Sequence, residues 1–137
     1  MSVAHKISQE LKKCASSQKA LVLAGFFKTK KGEYAQGDRF IGVTVPNQRR
    51  VAQMYCAQCS FFDIEKLITS PIHEERLTAL LILVEQYKKS SLREQKDIVS
   101  FYLSHTTWIN NWDLVDLSAD KIVGVYMTAQ PDRKSVV

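Results

Sequence analysis

Trp112 and Asp116 stand four residues apart in INNWDLVDLSADKIVG, the stretch from Ile109 to Gly124. If this stretch is helical, positions i and i+4 share a face, and the indole lies beside the carboxylate. A ring quadrupole next to a fixed negative charge suits a cationic ligand, or a cation that develops during a reaction. The competing reading is structural: Trp112 packs between helices, and Asp116 bonds a neighbouring backbone group or Lys121. Asn110 or Asn111 suits the cap of this helix. Asp113, in its first turn, reads as an acid at the positive end of the dipole and not as a catalyst.

The other reactive side chains are less organised. Cys56 and Cys59 form CAQC, which has metal-ligand spacing, but no second Cys pair or His-x-x-x-His completes a zinc set. His5, His73 and His105 are isolated from it, and Cys14 leaves an odd count that does not fit a disulfide framework. The expectation is therefore packing cysteines, no metal and no cofactor. Charge is more informative. Residues 1–50 hold 10 Lys/Arg against 3 acidic residues, whereas residues 51–137 hold 9 against 11. A basic half on a balanced body suggests a polyanionic partner, nucleic acid or an anionic membrane, with a solvated basic face as the equal alternative. Lys28, Lys30, Lys31, Arg39, Arg49 and Arg50 crowd this half, with Tyr34 among them, and are the candidate contacts to such a partner, duplex DNA if it is a nucleic-acid binder.

The elements that must position these groups read as helices. Ile7, Leu11 and Cys14 mark a first apolar face. Ser16 or Ser17 caps a second helix running into ALVLAGFF. Val51, Met54 and Tyr55 mark a third, with Pro46 in its first turn. Ile64, Leu67 and Ile68 mark a short fourth. SPIHEERLTALLILVEQYKK predicts the clearest helix, with Ser70 as cap, Pro71 at the first position, and Glu74 and Glu75 facing the dipole. Its stripe of Leu77, Leu80, Leu81 and Val84 is widened by Ile82 and Leu83 until the helix is apolar nearly all round, so it must be covered on most sides. A helix after Ser90, the Trp112 helix and a last one in DKIVGVYM, weakened by Gly124, complete the series. Residues 28–45 read as an extended basic connector with no partner strand. Helix pairs with short joints and no βαβ alternation predict an all-α single domain over residues 1–137, a right-handed solenoid of HEAT-like antiparallel helix pairs; a plain bundle is the alternative. The longest apolar runs are 8 residues, too short to span a membrane, and nothing at the N-terminus resembles a signal peptide, so a cytoplasmic protein is expected.

FFKTKKGEYAQGDRFIGVTVP, SPIHEERLTALLILVEQYKK and FYLSHTTWINNWDLVDLSADKIVG, in this order, resemble the DNA alkylation repair family, the AlkD-like alkylpurine DNA glycosylases. The resemblance implies a HEAT-like fold that wraps duplex DNA in a basic concave surface. It implies excision of cationic N3- or N7-alkylated purines without base flipping, with Asp116 as the catalytic aspartate and Trp112 lining its site. The pattern departs from the family at Lys30 and Ala35, where glycine is common. The family also has later helices with a second tryptophan and a DNA-gripping arginine, for which this chain has no counterpart. The expectation is thus the N-terminal part of a longer family domain, weakly active or inactive. A non-catalytic DNA-binding or scaffold module is the alternative. The dense apolar set Ile122, Val123, Val125, Tyr126 and Met127 further predicts an exposed C-terminal layer and self-association through it.

Overall fold

The computed structural model describes residues 2–26, 39–109 and 112–128. Most of the basic connector lies outside them, and with it Lys28, Lys30, Lys31 and Tyr34.

The chain is all-α. Helix α1 (Val3–Lys13) opens on Ser2, whose hydroxyl accepts from the His5 N–H, and buries Ile7 and Leu11 completely. Helix α2 (Ser17–Phe26) follows after a three-residue turn; of the two candidate caps it uses Ser16, whose hydroxyl accepts from the Lys19 N–H. Helix α3 (Val45–Tyr55) takes Thr44 as cap and carries Pro46 in its first turn, where the missing N–H has no helical partner to lose. Helix α4 (Phe61–Ile68) is fixed by a reciprocal capping box between Ser60 and Asp63.

Helix α5 (His73–Lys89) is the axis of the molecule. Every residue from His73 to Val84 is buried, because α1, α3, α4, α6, α7 and the turn after α7 all pack on it. The covering predicted from its apolar circumference is present. Its start differs from expectation. Ser70 and Pro71 lie outside the helix, which begins at His73 with Ile72 as an uncapped N-terminal residue. The reason is a competing partner: the Arg39 N–H donates to the Pro71 carbonyl, and the His73 N–H donates to the Arg39 carbonyl. Arg39 and Ile72 thereby form one isolated parallel bridge, with no strand on either side of it among the described residues. Ser70 instead accepts from the Ile72 N–H and closes the turn locally.

Helix α6 (Leu92–Ser104) starts on a second capping box, Ser91 with Glu94, and buries Ile98, Val99 and Tyr102. A short 3-10 turn (Thr106–Trp108) leads to α7 (Trp112–Asp116), and a π-helical turn (Asp120–Gly124) precedes α8 (Val125–Thr128). The last element is therefore not one regular α-helix: it is wound wide up to Gly124. Ile122 from this turn is fully buried, while Val125 and Met127 remain 48% and 41% exposed.

Candidate functional site

The first turn of α5 shows what its two glutamates do. Both are buried, so they are more than acids beside a dipole. Glu75 accepts from the Ser8 hydroxyl at 2.7 Å and ties α5 to α1. Glu74 accepts from three successive backbone N–H groups, those of Ile41, Gly42 and Val43, the middle one at 2.8 Å. Such a concave run of amides is an anion site, filled here by the protein's own carboxylate. Its curvature requires Gly42, whose φ is +83° and where a Cβ would sit 1.9 Å from the Ser16 carbonyl. The Ser16 N–H in turn donates to the carbonyls of Ile41 and Gly42, so one knot anchors the end of the connector and the start of α2 to α5.

Above this knot opens a cleft of ≈ 850 Å³. One wall is α2, with Gln18, Lys19, Val22 and Leu23; the floor is the segment 40–45 and the start of α5; Asp116 and Leu117 close the far side. The lining is mainly apolar, with few polar groups. His73 belongs to the floor: it is only 2% exposed and its ring stacks on Phe40 with centroids 4.6 Å apart. No sequence signal placed His73 here, since it comes from the helix that supplies the core.

Asp116 is positioned by what surrounds it in α7. Leu114 is fully buried, and Ser118 is buried against the Tyr102 hydroxyl at 2.8 Å, so the turn between them is anchored on both sides. Asp116 itself is exposed, and its carboxylate makes no hydrogen bond or ion pair with another described residue. The structural alternative, in which Lys121 or a nearby backbone group occupies its carboxylate, does not hold among these residues. Trp112 begins the same helix, one turn earlier; its side chain lies outside the described residues.

The three described basic candidates go to separate places. Arg39 is held beside Ile72 by its own backbone bridge and stays exposed. Arg50 turns toward α1, donating to the Cys14 sulfur at 3.2 Å. Arg49 lines a small concavity with Lys88 and Lys121 that meets the Asp116 cleft at Leu117.

The cysteines occupy turns and not helix faces. Cys56 caps the end of α3 and Cys59 precedes α4; both are buried, and the Gln86 amide donates to both of their carbonyls at 2.8 Å. Burial, with Asp63 and Cys56 nearby, pushes the Cys59 thiol up to about 12, so it stays protonated. Among the described residues no three His, Cys, Asp or Glu side chains converge as a metal set, and no helix is long and apolar enough to cross a membrane.

Residues 7–137 match the family described as DNA alkylation repair enzyme, and the chain belongs to that family. No curated protein and no solved structure matches it.

Proposed function

We propose that the chain is a cofactor-independent DNA glycosylase of the cytoplasm that releases cationic N3- or N7-alkylated purines from duplex DNA, with Asp116 as the catalytic carboxylate. The observation that carries this reading is a carboxylate, unpaired among the described residues, that lines a largely apolar cleft. A charge so placed attracts a cation, and low surrounding polarity strengthens that attraction.

The chemistry follows from the leaving group. An N-alkylated purine already carries positive charge, so the glycosidic bond breaks without a general acid and its electron pair leaves with the base, which becomes neutral. The sugar gains oxocarbenium character. Asp116 stabilises that charge and holds the water whose oxygen bonds to the sugar carbon; the proton of this water passes to the carboxylate and then to solvent. Trp112, one helical turn away, adds its ring face to the cationic sugar and base. Approach to the sugar within the duplex makes extrusion of the base unnecessary. In this reading the helices stack as right-handed HEAT-like pairs over residues 1–137. The duplex lies on a basic surface that includes Lys28, Lys30, Lys31, Tyr34, Arg39, Arg49 and Arg50. The exposed Val125 and Met127 are the surface through which a second copy associates.

Release of 7-methylguanine from methylated duplex tests it. Asp116→Asn keeps the shape and removes the charge, so release should fall by about 100-fold or more with an unchanged melt. Asp113→Asn should stay close to wild type. Robust release by Asp116→Asn would overturn the assignment. Duplex binding by the wild type without release of any alkylated base would instead establish the non-catalytic DNA-binding alternative.

A further inference from the structure

Lys88 and Lys121 were not among the candidate DNA contacts, and they lie 33 positions apart in the chain. The fold brings them together with Arg49 around one shallow concavity of ≈ 50 Å³. The three cations come from three elements: α3, the last turn of α5 and the π-helical turn. Their backbones are fixed by an apolar floor of Ala52, Leu81, Val84 and Leu117. The side chains of Arg49 and Lys121 make no ion pair or hydrogen bond with another described residue, while Lys88 meets Glu85 at 3.5 Å with its own side chain 62% exposed. One carboxylate against three cations leaves an excess of positive charge held in one place. Like charges held together repel, and helix-dipole pairing accounts only for Lys88, at the C-terminal end of α5. Arg49 lies mid-helix and has no such explanation. An external anion does explain the arrangement. The space is several times the roughly 10–15 Å³ that one water needs by the same measure, so it admits a small oxyanion.

We propose that Arg49, Lys88 and Lys121 form a binding site for one backbone phosphate of DNA. The inference rests on the reading of the chain as a duplex-binding repair protein, and it adds to that reading where the strand is held. Leu117 lines both this concavity and the cleft, and Asp116 is its neighbour in sequence. A phosphate gripped here sets the register of the strand against the Asp116 carboxylate. Arg supplies a planar fork to two phosphate oxygens, and the two lysines supply point charges.

The test is anisotropy of the full chain with an undamaged labelled duplex over a range of salt. Arg49→Gln/Lys88→Gln/Lys121→Gln should keep the wild-type melt, lose roughly tenfold or more in affinity at moderate salt, and show a log–log salt slope shallower by about 0.9 for each phosphate no longer neutralised. A control that removes three exposed cations from α4 and α6, Lys66→Gln/Arg93→Gln/Lys96→Gln, should change the slope little. If the wild type binds the duplex and the Arg49/Lys88/Lys121 variant binds with the same affinity and slope, the phosphate site is wrong while the DNA-binding reading stands. If the control loses as much as the variant, the effect is net charge alone and the site is equally wrong. If the wild type binds no duplex, the broader reading falls and this site falls with it.

Discussion

Two apolar runs of the same length have opposite fates in this protein. LTALLILV, residues 77–84, is buried residue by residue along α5. ALVLAGFF, residues 20–27, begins in α2 with Leu21 at 77% and Val22 at 69% exposed. Composition does not separate the runs; what packs around them does. Helix α5 is covered by six other elements, whereas the start of α2 is held where Ser16 meets Ile41 and Gly42, and Leu21 and Val22 stay exposed among the described residues. The uncovered apolar side chains of α2 are put to a different use. Val22 and Leu23 form a wall of the cleft that holds Asp116. One run makes the frame and the other makes a surface. Hydrophobicity alone gives no way to tell them apart, since a single exposed apolar residue is ordinary and only its placement has meaning.

The contrast can be broken most severely in α5. Ile82→Ala empties a site with no exposed surface and neighbours on all sides, so it should destabilise by about 2–5 kcal/mol, read as a lower denaturant midpoint at constant slope. A loss under about 1 kcal/mol would show that α5 is not the packed axis described here.

The joint between the two regions comes next in size. Glu74→Gln removes a charged acceptor from three amides and turns amide hydrogens toward them. It should destabilise by about 1–3 kcal/mol and expose residues 39–44 to protease before the rest of the chain opens. Equal loss of protection in all segments would mean that the knot has no local role.

The smallest effect is expected in α2. Leu21→Ser/Val22→Ser should leave stability within about 0.5 kcal/mol of wild type, because little apolar area leaves a buried environment. A cost near that of Ile82→Ala would show that α2 is covered in solution, by another part of the chain or by a second copy.

Much of the frame was legible because its causes are local. The starts of α4 and α6, marked above only by apolar spacing and by Ser90, carry a local signal as well: serine followed three residues later by an acid, both groups of a capping box lying within one turn. The apolar circumference of residues 77–84 announced a helix covered on all sides. The motif around Trp112 and Asp116 announced the family, because its residues are close neighbours in the chain. Local pattern failed at Ser70 and Pro71, a good helix start that the bridge to Arg39, more than thirty residues away, displaced to His73.

Which segments are helical, and in what order, thus follows from the sequence by itself, because periodicity acts over three or four residues. The cleft, its His73–Phe40 floor, the knot at Glu74 and the meeting of Arg49, Lys88 and Lys121 were decided by the tertiary structure alone. Each joins residues about thirty or more positions apart, and no short-range rule specifies which distant amide will satisfy a buried carboxylate or which cations will share a concavity. That Asp116 lines this cleft, with a carboxylate unpaired among the described residues, likewise comes from packing on either side of it and not from its four-residue spacing from Trp112.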